Sequence, residues 1–403
     1  MLTTMHSYAA LLGNNPSLSI AELAAALPDF ERGHLFTHQP VLTFNTASAV
    51  DKNLLNVLGG TILLARQITE NAVSIQDVPS LLATELAAVK GKAVFGLRTS
   101  GVSPSTVRDL YRLCKNGLKQ RGMSCRYIGN ERDAAKPVQL HDEGLLDAKK
   151  GCEIVILQDK NILWIGRTVA AQDIKAYTFR DIEKPVRDTT VGLLPPKLAQ
   201  MLLNFGVFLS GKKNPLVLDP FCGTGVIPME ALIRGCPVLA SDVALKAVSG
   251  TEKNVEWVRK MFKINKKDLA SDAWKQDATK PFELKSKPDV IVTEGTLGPA
   301  LKSRPTVKDA EGYCKRAEEL TAAFLKNVAT SLPGTPVVMT LPVWYAQKKM
   351  IHLEKLWDRL PALGFKPVLP PHASPAIAGH FSLLYRRNDQ FVGREVVLLA
   401  PAK

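Results

Sequence analysis

None of the six cysteines, at 114, 125, 152, 222, 236 and 314, forms a Cys-x-x-Cys pair, and none clusters with a histidine. Neither a zinc site nor a disulfide scaffold is expected from that usage, and a reducing cytoplasm suits it best. No apolar stretch is long enough to span a bilayer, and the opening Met-Leu-Thr-Thr-Met-His-Ser lacks a basic region ahead of an apolar run. Secretion and membrane insertion are therefore not expected. His6, His34 and His38 stand apart from ligand-type partners, so no metal is expected there either. Acid is the scarcer charge: 38 Asp and Glu face 52 Lys and Arg, giving a net charge of +14 and a pI near 9.4. That balance favours a polyanionic partner.

What is present is ordinary globular material, 403 residues at 46% hydrophobic and 22% charged, enough for two or three domains. The positive charge is concentrated. From Lys90 to Arg126 nine Lys or Arg face one acid, Asp109. Arg108, Arg112, Lys115 and Lys119 recur at three- and four-residue steps along a helix expected from about Ser105 to Arg121, which puts them on one face. With Arg98 on the preceding strand and Arg126 on the following one, they form a candidate phosphate-contacting footprint.

The stretch most telling of chemistry is Leu216 to Gly225, Leu-Val-Leu-Asp-Pro-Phe-Cys-Gly-Thr-Gly. Three apolar residues fit a short buried strand, Asp219 and Pro220 end it, and Gly223 and Gly225 let the backbone approach a ligand closely. An amphipathic helix follows from Val226, with Gly235 placed as its C-cap. Next comes Val238 to Asp242, an apolar strand ending in a carboxylate about twenty residues past the glycines. In a doubly wound sheet that acid is offered to ribose hydroxyls. The three-glycine dinucleotide fingerprint is missing, since Asp219-Pro220-Phe221-Cys222 occupies the place of its first glycine.

The front of the chain reads as a small α+β unit over residues 1–70. Ser19 with Glu22 is expected to cap a helix from Leu18 to Leu27, Val41 to Phe44 to form a strand, and Leu54 to Leu64 a helix. Residues 71–175 carry the basic footprint and a hairpin expected from Glu153 to Ile165. From 176 onward strands and helices alternate: a helix started by Pro195 and Pro196, a basic helix between Thr251 and Lys267, a strand from Val290 to Glu294, a helix from Thr306 to Ala329, a strand from Pro336 to Leu341 and a helix from Ile351 to Leu360. A hairpin pairs Phe381 to Tyr385 with Glu395 to Leu399 across Arg386 to Gln390.

Asp-Pro-Phe-Cys-Gly-Thr-Gly resembles the first motif of class I S-adenosylmethionine methyltransferases of the nucleic-acid amino-methylating branch. Leu-Gly-Asn-Asn-Pro-Ser-Leu-Ser-Ile-Ala-Glu-Leu near the N-terminus, Gly166 to Ile174, Gly192 to Gln200 and Asp-Gln-Phe-Val-Gly-Arg-Glu from Asp389 sharpen the resemblance, over nearly the whole chain, to the THUMP-domain tRNA guanosine-N2 methyltransferases. The resemblance implies an α/β chain: a Rossmann-like methyltransferase domain over 176–403, preceded by the N-terminal α+β domain (1–70) and a THUMP-like RNA-binding domain (71–175). It implies S-adenosylmethionine as cofactor, tRNA as partner with position ten as target, and leaves room for a small activator subunit. It also implies that Gly223 and Gly225 pass under the methionine part of the cofactor, that Phe221 and Cys222, between them and Asp219, belong to the cofactor site, that Asp219 lies near the cofactor's amino group, that Asp242 holds the ribose, and that Asp277 and Ala278 border the adenine, with Asp272 competing for the place of Asp277.

Relatives in that branch carry an acid-Pro-aromatic motif after the fourth strand, where this chain has Glu294-Gly295-Thr296-Leu297-Gly298-Pro299. Glu294, Gly295 and Thr296 are the candidate catalytic residues: a carboxylate or a strained carbonyl there accepts from the target amine and keeps its lone pair aimed at the methyl group. The missing proline and aromatic leave open a catalytically weakened or inactive module that binds donor and tRNA; an amino-methyltransferase of ribosomal RNA or DNA that shares the core is a further alternative, which suits the C-terminal half but leaves the N-terminal match unexplained. Trp344, Tyr345, Phe381 and Tyr385 are candidate stacking rings, with core packing as their competing role.

Overall fold

The computed structural model describes residues 4–69, 74–188, 193–387 and 390–402. Gly192, Asn388 and Asp389, used in the motif readings above, lie outside these. The chain divides into two compact units, one of residues 1–16 and 27–177, the other of residues 17–26 and 178–403.

The first unit is built on one eight-stranded sheet. Its strands are β1 (His6–Leu12), β2 (Glu31–Phe36), β3 (Val41–Thr46), β4 (Thr61–Gln67), β5 (Ala93–Ser100), β6 (Cys125–Ile128), β7 (Gly151–Asp159) and β8 (Ile162–Ala171), in the spatial order β2-β3-β1-β4-β8-β7-β5-β6. The stretches 1–70 and 71–175, expected as separate domains, thus share a sheet, joined where β4 pairs antiparallel with β8 from Leu63↔Ala171 to Gln67↔Gly166. The helix expected from Leu54 to Leu64 is instead a short helix, Lys52–Val57, and the start of β4. Leu63, Leu64 and Ala65 are β-sheet core, and tertiary pairing overrides their helical spacing. The basic helix runs Pro104–Gln120 under a Ser103 N-cap, burying Val107, Leu110, Tyr111, Cys114 and Leu118 against the sheet.

In the second unit the sheet order is β11-β10-β9-β12-β13-β17-β15, formed by β9 (Val217–Asp219), β10 (Val238–Asp242), β11 (Ser271–Lys275), β12 (Val290–Glu294), β13 (Val337–Ala346), β15 (Phe365–Val368) and β17 (Val392–Pro401), with β14 (Lys349–Ile351) and β16 (Ser382–Tyr385) paired at one end. The first five of these in the spatial order pair in parallel, and β17 inserts antiparallel between β13 and β15. The chain order of the five parallel strands is third-second-first-fourth-fifth, so the direction of winding reverses between β9 and β12, the crevice where open α/β sheets bind ligands.

The parallel strands are buried on both faces, which is why they read as apolar runs and not as alternations. Val290 and Val292 of β12 pack in one core layer with Leu198, Leu202 and Phe205, while Ile291 packs in the other with Phe324, Leu325 and Val328. Those partners come from helices Pro196–Ser210 and Val307–Ser331, whose boundaries lie within two residues of those expected. The N-terminal helix Pro16–Ala26 belongs by its packing to this unit, with Leu18 and Ala21 in the first layer. Ser19 and Glu22 do not cap it. Both are fully buried in its middle, and the Glu22 carboxylate accepts from Asn204 Nδ2 at 2.6 Å; the helix begins at Pro16, three residues ahead of the apparent box.

Candidate active site

The glycine turn leaves β9 as the sequence requires. Gly223 and Gly225 have φ of +52° and +84°, and Gly225 is the N-cap of the helix Val226–Arg234, which Gly235 closes. The two glycines serve different ends. A Cβ at Gly223 would meet nothing within 4 Å, whereas one at Gly225 would meet the Oγ1, Cγ2 and Cα of Thr251 at 2.9, 3.0 and 3.1 Å. Gly223 keeps the floor of a cavity open, and Gly225 lets the next helix, Leu245–Phe262, pack against the turn from behind. Thr251 Oγ1 donates to the Gly223 carbonyl at 2.9 Å, and Asn254 Nδ2 donates to the carbonyls of Thr224 (2.8 Å) and Val186 (2.9 Å).

Asp242 ends β10 beside this turn. One carboxylate oxygen accepts from the Gly223 amide at 3.0 Å and the other from the Ala244 amide at 2.9 Å. Each oxygen keeps a second lone pair for a ligand hydroxyl. Asp219, 2% exposed, accepts from Thr293 Oγ1 at 2.6 Å and from the Phe221 amide at 3.3 Å. Burial pushes its carboxyl up to about 7, against the pull of those two hydrogen bonds.

Around these groups lies a cavity of about 370 Å³ lined by Asp219, Phe221, Cys222, Gly223, Asp242, Glu294, Gly295 and Thr296 among others. Cys222 is buried and its thiol is pushed far up by desolvation, so it lines the cavity as a neutral group. Phe221 packs edge-on against Phe324 at 5.1 Å between ring centroids. Glu294, at the end of β12, has a side chain 14% exposed, and its Oε1 accepts from Arg394 Nε at 2.6 Å. Desolvation raises its pKa and the arginine opposes the rise. Gly295 must be glycine, because a Cβ there would stand 2.6 Å from the Thr340 carbonyl.

Asp277 and Ala278 do not line this cavity. Asp277 lies past the end of β11, in a turn where Thr279 donates to its carboxylate through both hydroxyl (2.7 Å) and amide (2.9 Å), and these bonds lower its pKa. Its competitor Asp272 lies inside β11, paired with Leu239.

The basic footprint divides. Arg98 leaves it: 7% exposed, it forms a two-pronged ion pair with the buried Glu153 at 3.0 and 3.1 Å and donates to the Ala135 carbonyl. An apolar strand had carried this charge into the sheet, where only a buried acid can balance it. Arg108, Arg112, Lys115, Lys119 and Arg126 are exposed, with Arg108 facing Glu131, Arg112 facing Asp109 and Arg126 paired with Glu143. Of the candidate stacking rings, Trp344, Tyr345 and Tyr385 are buried and Phe381 is 53% exposed.

Sequence reasoning missed Arg394, although it lies in the Phe-Val-Gly-Arg-Glu stretch, because its partner Glu294 is a hundred residues away. It also missed Phe391. A second cavity of about 240 Å³, lined by Leu193, Leu297, Gly298, Phe391 and Arg394 among others, shares its first three of these with the larger one. Lys246 and Asp188, 3.5 Å apart, line the larger cavity as well.

The strand order, the glycine turn and the acid closing the second strand define a Rossmann-like domain of the methyltransferase type, with its cavity at the switch in winding. No family model matches the chain. It is, however, a relative of curated proteins named tRNA (guanine(10)-N2)-dimethyltransferase. It is 30% identical over 163 residues to that of Methanothermobacter thermautotrophicus, covering 40% of this chain and 42% of the relative. Against that of Methanocaldococcus jannaschii it is 29% identical over 132 residues, 30% of this chain and 36% of the relative. The matched region thus spans about two fifths of these relatives' length. Among solved structures, TrmN from Thermus thermophilus aligns with a TM-score of 0.49 at 17% identity over 99% of this chain and 100% of that one. A possible methylase from Clostridium difficile 630 aligns with 0.48 at 12% identity over 99% of both.

Proposed function

We propose that this protein transfers the methyl group of S-adenosylmethionine to the N2 amine of a guanosine in tRNA, position ten being the target that the relatives' names carry. The observation that supports it most is the convergence on one cavity of the glycine turn, Asp219, Asp242 and the buried carboxylate of Glu294. Gly223 opens the floor for the donor's methionine part, Asp219 faces its amino group and Asp242 takes the ribose hydroxyls. The bound donor supplies an electrophilic methyl on a sulfonium. Glu294 accepts a hydrogen bond from the guanine amine, aims its lone pair and takes the proton released as the N–C bond forms and the sulfonium's S–C bond breaks, its electron pair leaving with the sulfur as a neutral thioether. Gly295 and Thr296 shape the wall beside it. Phe391, in the adjoining cavity, replaces the aromatic missing after Glu294 as the ring for the base. The place of Asp277 and Ala278 just beyond the end of β11 supports a role for them at the adenine end of the donor.

Residues 71–175 act in this reading as the THUMP-like RNA-binding module, with Arg108, Arg112, Lys115, Lys119 and Arg126 on phosphates. A cytoplasmic location belongs to the same proposal, and an activator subunit is compatible with it. Among the described residues no helix is long and apolar enough to cross a membrane. The test is incubation of the chain with donor labelled in the methyl group and, in parallel, tRNA transcripts, ribosomal RNA and DNA, followed by nucleoside mass spectrometry. Label in N2-methylated or N2-dimethylated guanosine supports the reading. Label in another nucleoside, or in ribosomal RNA or DNA alone, replaces the substrate; donor and tRNA binding without transfer replaces the enzyme by the binding module that the lost Pro-aromatic pair would favour.

A further inference from the structure

On the side of the sheet away from the Arg394–Glu294 pair, three ligand-type side chains meet. Successive residues of a strand face opposite ways, and β17 shows it: Val396 and Leu398 lie in one core layer, Val397 and Leu399 in the other. Arg394 therefore faces the candidate active site while its neighbour Glu395 faces away. There Glu395, 0% exposed, meets His380, 7% exposed, and His352, whose side chain is 13% exposed. They come from β17, from the turn ahead of β16 and from the segment between β14 and the helix Glu354–Arg359. Each offers one donor atom, and these atoms all lie within 4.8 Å of one another.

The hydrogen bonding of this cluster is half complete. Glu395 Oε1 is held by His380 Nδ1 at 2.8 Å and by Ser382 Oγ at 2.5 Å. Glu395 Oε2 and His352 Nδ1 are buried without a hydrogen-bond partner. A carboxylate oxygen and an imidazole nitrogen left bare in the interior each carry the uncompensated desolvation cost of a polar group. Both orphans belong to this cluster, and Trp357 stacks on the His380 ring at 4.4 Å and 21°. Two imidazoles and one carboxylate are the borderline N/O donor set that suits zinc.

We propose that His352, His380 and Glu395 bind a zinc ion, with water as the remaining ligand, and that the ion staples β17 to β16 and to the segment before the last helix. Glu395 Oε2 and His352 Nδ1, the orphaned atoms, are two of its donors, and a ring nitrogen of His380 is the third. The ring nitrogens bind in their neutral form, so uptake releases whatever protons they carry. The site is separate from the cofactor cavity, none of whose lining residues it uses, and it does not depend on the proposed methyl transfer. The cysteine spacing that argues against zinc has no bearing on it, because its ligands are His and Glu residues far apart in the chain.

The test uses the full chain, stripped with a chelator and titrated with zinc by calorimetry and with cobalt by absorption spectroscopy. The expected result is one equivalent bound per chain, d–d bands without a cobalt–thiolate charge-transfer band, and affinity falling at least about tenfold in both His352→Ala and Glu395→Gln. Should Glu395→Gln not fold, His352→Ala, changed at the most exposed ligand, and the cobalt spectrum of the unaltered chain decide the matter. No equivalent bound, a thiolate band marking the cysteines as ligands, or undiminished affinity in His352→Ala would overturn the proposal and leave a proton-sharing His–Glu network.

Discussion

Arg394 reaches from the last strand to the end of the fourth parallel strand, its Nε 2.6 Å from Glu294 Oε1 and its Nη2 3.2 Å from the Leu193 carbonyl. The pair is nearly buried, at 3% and 14% side-chain exposure. Arg394 is thus a positioning residue for the proposed acceptor, and it holds down a carboxyl that burial pushes up. Arg394→Ala is expected to cost about 3–5 kcal/mol of stability by stranding the acid. It should also move the acid limb of the activity–pH profile upward, because the ionised carboxylate then appears only at higher pH. Glu294→Gln should retain the fold and lower turnover by about 10²–10⁴. An Arg394→Ala profile superimposable on the unaltered one would remove the arginine from the mechanism.

Asp219 gives a pH dependence with a definite sign. Its carboxyl is raised in the folded protein from an ordinary 3.8 to about 7, so between those values the folded chain binds more protons than the unfolded one. Its contribution to stability is full below about 4 and is lost as pH rises to about 7. Denaturant unfolding across that window, compared with Asp219→Asn, should show the unaltered chain losing ground as pH increases. Donor affinity should run the opposite way, rising towards pH 7 as the carboxylate ionises to meet the amino group.

Gly225→Ala forces a left-handed backbone on a side chain and drives its Cβ into Thr251. A loss of about 1–3 kcal/mol in chemical denaturation is expected from the strain alone. Restoring space with Thr251→Ala should not recover it fully, because the φ of +84° persists.

The basic residues should sort by measurement as they sort by burial. Lys115→Ala with Lys119→Ala removes two exposed charges, and the salt dependence of tRNA affinity should weaken by about one unit of slope per lost phosphate contact. Arg98→Ala should instead destabilise the fold by about 3–5 kcal/mol, since it strands Glu153.

The parts of the site that one local stretch could encode were legible beforehand. Asp219, Gly223 and Gly225 follow one another along a single turn, and Asp242 is one strand on, so spacing alone located them. Glu294 was legible as the end of a buried strand. Arg394, Thr251, Asn254 and the His352–His380–Glu395 cluster were not, because each acts on residues that only the sheet order brings near. The same holds for Arg98, which the basic run after it drew into the phosphate footprint while β7 supplied Glu153 beside it. Ser19 and Glu22 carried a local capping signal that packing against the second unit's core overruled.

The proposed methyl transfer requires the donor to lie over Gly223, and equilibrium binding of S-adenosylmethionine and of its demethylated product tests that directly. The account predicts saturable binding of both, weakened at least about tenfold in Gly223→Val, where a side chain would fill the open floor and meet a positive φ. No binding of either molecule by the unaltered, folded chain would contradict it.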